Sequence, residues 1–217
     1  MKQLPVLAEN ADWLVLNKPS GIPATADKTG APSLLEIAEQ LYGHRLHPVH
    51  RIDRPVSGIF LLAKTTVAMA GLSAQFQART VEKTYLAIVQ NPPPAAYGTL
   101  RHYLKKQSGS NRVSVSETAL AGAERAELKY TLLNSGERYH LLQIQLITGR
   151  RHQIRAQLAA IGCPVKGDVK YGARRGNPDR SIHLHAWRLA FSDPMTDEKV
   201  QLEAPLPDDV LWNALGK

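Results

Sequence analysis

The spacing of hydrophobic residues changes repeatedly along the 217 residues, and each change marks an expected element. Residues 12–18 (DWLVLNK) predict a short strand, stopped by Pro19, Ser20 and Gly21. Residues 33–42 predict a helix in which Ser33 is the cap and Leu34, Ile37, Ala38 and Leu41 share one face. The unbroken apolar run at 58–64 (GIFLLAK) has the character of a buried strand. A helix is predicted over 66–79, where Met69, Leu72 and Phe76 recur at helical spacing, followed by a strand over 81–90. Hairpin-like segments are expected around 98–103 and 112–118, and an antiparallel pair over 126–134 and 138–148, turned by Ser135, Gly136 and Glu137. The second strand of that pair runs into Gly149 and a helix predicted over 150–161, closed by Gly162. Strands over 182–190 and 199–203 and a short helical tail over 208–215 complete the pattern. Many strands, few helices and no strict alternation predict an α+β fold around a mixed, largely antiparallel sheet, forming one domain over 1–217.

Composition narrows the class. Hydrophobic residues make up 43% of the chain, enough for a packed core. No apolar run reaches the ~18 residues of a membrane span. The N-terminal residues lack the apolar stretch and small-residue cleavage site of a signal peptide, so a cytoplasmic location is expected. The single cysteine, Cys163, has no partner for an intramolecular disulfide and cannot build a cysteine zinc site; beside Pro164 it is expected to pack as a small hydrophobe. Lys and Arg number 27 against 19 Asp and Glu, a net charge of +8, which suits a polyanionic partner. The cations cluster: Lys105 with Lys106, Arg150 and Arg151 near Arg155, and Arg174 with Arg175. Residues 166–180 are basic and glycine-rich, as a mobile loop contacting a nucleic-acid backbone is expected to be.

Two stretches concentrate candidate chemistry. His50-Arg51-Ile52-Asp53-Arg54-Pro55-Val56-Ser57-Gly58 is polar, and it precedes a wholly apolar strand. A carboxylate between Arg51 and Arg54 is expected to stay ionised, and a positioned, ionised Asp is a nucleophile or a base; the stretch equally reads as a surface loop with a local ion pair. In Leu146–Arg155 (LITGRRHQIR) a strand ends, Gly149 turns the chain and a basic helix begins, whose N-terminus suits phosphate. Ile154, Leu158 and Ile161 form its core-facing stripe, and Arg155 at the edge of that stripe needs a carboxylate partner. A solvated basic face is the alternative. His44, His47 and His50 recur every third residue, but Pro48 interrupts them and no acidic or cysteine ligand is near in sequence, so no metal site is expected. There is no phosphate-loop pattern GxxxxGK(S/T) and no GxSxG elbow.

His50-Arg51-Ile52-Asp53, followed by Ser57-Gly58 and Ala63-Lys64, resembles the HR(L/I)D…SG…AK motif of RluA-type pseudouridine synthases. Leu146–Arg155 resembles their LxTGRxHQIR signature. Asn17-Lys18-Pro19-Ser20-Gly21 is similar to NKPxG, Lys83-Thr84-Tyr85-Leu86-Ala87 to KxYxA, Gly162 to Asp168 to GxPxxGD, and Leu184-His185-Ala186 to LHA. The ordered matches span about residues 10 to 205. Val56 stands where Thr is common in the family, and too little chain precedes Asn17 for an S4-like module, so RNA recognition is expected of the catalytic domain itself.

The resemblance implies isomerisation of uridine to pseudouridine in ribosomal or transfer RNA stem-loops, without a cofactor or an obligatory protein partner. It implies Asp53 as the catalytic aspartate, acting on C1′, by forming a glycal, or on the uracil ring. Tyr85 would stack on the target base and assist loss of the C5 proton; its alternative is a core tyrosine. Arg155 would pair with Asp53. Arg51 would help displace the flipped base, with Arg54, Arg150 and Arg151 among the RNA contacts, and Leu184 and Ile182 would wall the uracil pocket. The competing classes are a non-catalytic RNA-binding protein on the same fold and a structural ribosome-associated protein. The co-occurrence of Asp53, Tyr85 and Arg155 argues for the enzyme.

Overall fold

The computed structural model describes residues 5–216. Along the chain the elements are β1 (Val6–Glu9), β2 (Trp13–Lys18), α1 (Leu34–Tyr42), β3 (His47–Pro48), β4 (Ser57–Ala63), α2 (Thr66–Ala78), β5 (Glu82–Val89), β6 (Tyr97–Lys106), β7 (Val113–Ser116), β8 (Glu124–Ser135), β9 (His140–Leu146), α3 (Gln153–Ala160), β10 (Leu184–Ser192), β11 (Lys199–Glu203) and α4 (Val210–Leu215). A single 3-10 turn covers Val169–Tyr171. Every strand pair with a described register is antiparallel, and the class is α+β.

The chain divides into two compact units. One takes in the chain up to Lys83 together with Ala186–Leu206; the other takes in Thr84–His185 and the chain from Pro207.

In the first unit β4 is flanked by β2 and β10, with β1 outside β2, β11 outside β10 and the short β3 against the end of β4. All seven residues of β4 are buried, as an apolar run without alternation requires. Trp13, Val15, Ile59, Leu61, Leu189 and Phe191 pack with Ala68 and Leu72 of α2. Trp13 meets Phe191 edge-on at 5.5 Å and 87°, and its indole N–H reaches Asp193 at 2.7 Å. Ser33 caps α1 as expected, its Oγ accepting from the Glu36 N–H, and Glu36 adds a bond not expected by reaching back to the Ser33 N–H, a complete capping box. Gly58 has φ +108°, and a Cβ there would lie 2.2 Å from the Ala186 carbonyl oxygen, so only glycine allows this approach of β10 to β4.

In the second unit the strand order is β5-β9-β8-β6-β7. The two segments expected to be separate hairpins form one: β6 pairs with β7 from Tyr103–Ser116 to Lys106–Val113, and β6 continues along β8. The turn after β8 is longer than expected, with the Gly136 N–H donating to the Tyr139 carbonyl at 2.8 Å. Helix α3 begins at Gln153, not at Arg150. Arg151 and His152 form a turn closed by the Gln153 N–H to the Arg150 carbonyl, His152 takes a left-handed φ of +49° as the N-cap residue, and Gln153 Oε1 accepts from the Arg150 N–H and the Thr148 hydroxyl. At its far end the Cys163 N–H bonds to Leu158 O and the Gly162 N–H to Ala159 O, with Gly162 at φ +77°. That is a Schellman closure, the role expected of Gly162. Cys163 is buried, as expected of a packing residue, and burial raises its thiol pKa.

Candidate active site

The first unit carries the loop between β3 and β4. From His50 to Asp53 the chain is a loop that begins with a bend at His50: Ile52 is buried while Arg51 is exposed and Asp53 half-buried. Ile52 thus anchors the loop in the core while Arg51 and Asp53 keep access to solvent. The loop closes in a turn in which the Val56 N–H donates to the Asp53 carbonyl at 3.0 Å. Val56 itself is buried, so a hydrophobe serves there.

Two side chains that sequence reasoning did not assign to the site hold this loop. Lys18, at the end of β2, is fully buried, and its ammonium donates to the carbonyls of Pro19 (2.9 Å), Ile22 (2.8 Å) and Arg54 (3.1 Å). Burial pulls its pKa down to about 7, against the opposing charge of Asp53. His50 lies between Phe60 and Phe76, stacked on Phe76 at 5.1 Å, and its Nε2 accepts the Leu61 N–H at 2.9 Å. Burial, with Lys83 nearby, pushes its pKa down to about 3, so the ring is neutral. Neither His50 nor the neighbouring histidines form a metal cluster; among the described residues no three His, Cys, Asp or Glu side chains are grouped as ligands. The one signal for both residues was their membership of the NKPSG and HRID stretches.

Arg54, expected among the RNA contacts, is engaged within the protein. Its Nε donates to the Gly21 carbonyl at 2.8 Å and its Nη1 to Thr29 Oγ1 at 2.8 Å, with Asp27 at 3.5 Å. The Gly21 N–H returns a bond to the Arg54 carbonyl at 2.9 Å. Arg54 therefore ties the NKPSG turn to the aspartate loop.

In the second unit, Tyr85 sits half-buried on β5, in register with Ile144 of β9. The Ile88 N–H of the same strand donates to the His183 carbonyl at 2.9 Å, which brings β5 beside buried Ile182 and Leu184. His183 stacks on Trp212 and its Nε2 lies 3.0 Å from Asp209. Burial lowers its pKa and the Asp209 carboxylate opposes that shift.

Helix α3 is not a solvated basic face. Gln153, Ile154, Arg155, Ala156, Gln157 and Leu158 are all buried. Arg155 is 5% exposed and makes a bidentate pair with Asp168, Nε to Oδ2 at 2.7 Å and Nη2 to Oδ1 at 2.9 Å. Its guanidinium also faces the Tyr171 ring at 5.1 Å. The Tyr171 hydroxyl accepts the Val113 N–H at 2.9 Å and lies 2.8 Å from His152 Nδ1, so β7, the helix cap and the 3-10 turn meet on one phenol. Asp168 and Tyr171 are both buried, which corrects the expectation of a mobile loop over 166–180: its first part is anchored. Arg150 and Arg151 lie outside the helix. Arg150 pairs with Glu124 at 2.6 Å and Arg151 donates to Asn111 in the β6–β7 turn.

The family description RNA pseudouridylate synthase matches residues 12–160. The chain belongs to this family. An uncharacterized RNA pseudouridine synthase, YlyB of Bacillus subtilis (strain 168), is 34% identical over 216 residues, which cover 95% of this chain and 70% of the relative. Ribosomal large subunit pseudouridine synthase C of Vibrio vulnificus (strain CMCP6) is 32% identical over 216 residues, 94% of this chain and 66% of that protein. Among solved structures, human RNA Pseudouridylate Synthase Domain Containing 4 superposes with a TM-score of 0.77 at 26% identity, covering 94% of this chain and 88% of its own. Human RNA Pseudouridylate Synthase Domain Containing 1, at 24% identity and a TM-score of 0.80, shares the fold. The chain is thus an RNA pseudouridine synthase of the RluA type, an isomerase, and its substrate is RNA. No helix among the described residues is long and apolar enough to cross a membrane.

Proposed function

We propose that this synthase converts uridine to pseudouridine in structured ribosomal RNA and that Asp53 is the residue that opens the glycosidic bond. The observation that carries the assignment is the Asp53 loop: a half-exposed carboxylate on a backbone bonded at Arg54 by Lys18 and Gly21, and turned by Val56. A carboxylate held in this way is pre-organised to act as nucleophile or base.

The reaction balances without a redox partner or an energy source. The N1–C1′ bond breaks, the uracil rotates, a C5–C1′ bond forms, C5 loses its proton and N1 gains one; reactant and product are isomers. Asp53 acts either by adding to C1′, as in a retaining glycosidase, or by taking a sugar proton to give a glycal. Tyr85 is proposed to stack on the base and assist removal of the C5 proton. Arg155 is proposed to act in the same catalytic set, and Ile182 and Leu184 to contact the uracil. Exposed Arg51 is proposed to occupy the space of the flipped base, and Arg150 and Arg151 to contact phosphate.

Relatives named for the large ribosomal subunit favour ribosomal over transfer RNA as the substrate, and a cytoplasmic site of action goes with it. The test is pseudouridine mapping in RNA from cells with and without the gene. Loss of one or a few sites in large-subunit ribosomal RNA is expected. Loss confined to transfer RNA would overturn the choice of substrate, and no change in any RNA would overturn the activity.

A further inference from the structure

The structure assigns His50 a positioning role for the reaction: its Nε2, bonded to the buried backbone of β4, fixes where Asp53 stands. The inference rests on the reading of Asp53 as the reacting carboxylate.

The geometry starts from the edge of β4. On one side β2 pairs along its length, with Val15 opposite Leu61. On the other side β3 pairs only at Ala63 and Leu62, and it ends with Pro48 opposite Leu62. Leu61 is fully buried, and its N–H bonds to the His50 ring in place of a strand carbonyl. A buried N–H left without a partner is costly, so this bond is a strong constraint on where the His50 ring sits. The ring also packs on two aromatics, tilted against Phe60 at 5.6 Å and stacked on Phe76 at 5.1 Å.

His50 stands three residues before Asp53, with the buried Ile52 between them. Beyond Asp53 the chain is fixed again by the bonds to the Arg54 carbonyl. The aspartate is therefore suspended between two anchors, His50 before it and the Lys18–Gly21 contact after it. Only the first is a side chain whose acceptor can be removed while its packing is kept. Lys83 is the other charged group facing the His50 ring, and a neutral imidazole is the form that can accept from Leu61.

The variants separate the acceptor from the ring. His50→Phe keeps an aromatic between Phe60 and Phe76 but offers the Leu61 N–H no acceptor. His50→Gln loses the ring but places an amide oxygen near the former Nε2. Both are compared with wild type and Asp53→Asn in single turnovers of a ribosomal RNA transcript tritiated at uracil C5, with enzyme in excess, reading tritium release to water. RNA affinity is read in parallel by filter binding.

The expected result is that His50→Phe binds RNA as wild type and reaches full amplitude with a rate constant lower by about 30-fold, in line with the cost of ångström-scale misplacement. His50→Gln should stay within about threefold of wild type. A purely structural role would lower the fraction of folded enzyme, read by circular dichroism and thermal melting, and leave the rate constant at saturating enzyme alone. Positioning is overturned if His50→Phe keeps the wild-type rate constant or loses only folded fraction, or if His50→Gln is as slow as His50→Phe. Should His50→Phe not fold, His50→Asn, whose amide stops short of Leu61, takes its place with the same expectation. Turnover by Asp53→Asn would overturn the underlying reading of Asp53 instead, whatever the His50 variants do.

Discussion

Arg155 and Asp168 form a buried bidentate ion pair, with contacts of 2.7 and 2.9 Å and exposures of 5% and 2%. The pair joins α3 to the segment ahead of the 3-10 turn, and the Tyr171 ring lies against its cationic half. Removing the Asp168 carboxylate takes two charge-assisted contacts away from the buried Arg155 guanidinium. Asp168→Ala is expected to lower unfolding stability by about 3 kcal/mol, on the scale of hydrogen bonds to charged groups, read by urea denaturation. A loss below about 1 kcal/mol, the scale of an exposed pair, would show that the site is wetter than its burial indicates.

His50 makes stability depend on pH. Its folded pKa, about 3, lies below the ordinary histidine value of 6.5, so below pH 6.5 the unfolded chain binds a proton that the folded chain refuses. Stability contributed by the neutral ring is complete above that value and falls with acidification until pH approaches 3. Between pH 7 and pH 5 the expected loss is about 2 kcal/mol relative to His50→Gln, which has no titrating ring. His183 adds in the same direction. Parallel stability curves for wild type and His50→Gln over this range would contradict the enclosed, neutral ring.

RNA affinity should fall steeply with salt, because Lys and Arg side chains that meet phosphates release counterions from them. Arg150 and Arg151 lie at the turn before α3, beside Glu124 and the β6–β7 turn. Replacing both with Ala should reduce the slope of log K against log salt by about 1–2, near 0.7–0.9 for each phosphate no longer neutralised. An unchanged slope would mean that their ion pair and hydrogen bond within the protein occupy them fully.

Tyr85 separates stacking from proton removal. Tyr85→Phe should keep RNA affinity and lower kcat, and Tyr85→Leu should lower kcat further because the aromatic platform is gone. Full activity in both variants would make Tyr85 a packing residue of β5.

Much of the fold was legible because it is local. The apolar run of β4, the Ser33 cap and the Gly162 closure each depend on residues within a few positions of one another. What was not legible depends on partners brought together by folding. β3 is two residues long and exists only because β4 offers it an edge. The start of α3 moved to Gln153 because that side chain, reaching back to Arg150 and Thr148, holds the chain out of the helix until the turn at Arg151 and His152. Asp168 as the partner of Arg155, and Leu61 as the partner of His50, are pairings that no periodicity encodes. At the candidate site the motif residues were readable, whereas the holding of Arg54 by Gly21 and Thr29 was not, since an arginine beside an aspartate looks the same whether it meets RNA or the protein.

The central claim is that the Asp53 carboxylate opens the glycosidic bond. The most direct measurement is single-turnover conversion of target RNA by Asp53→Asn, a change of nearly equal shape, under conditions where circular dichroism and filter binding match wild type. The predicted result is a rate constant below about one thousandth of wild type, the scale of loss for an essential catalytic group. Conversion above that level by a correctly folded, RNA-binding Asp53→Asn enzyme would contradict the assignment.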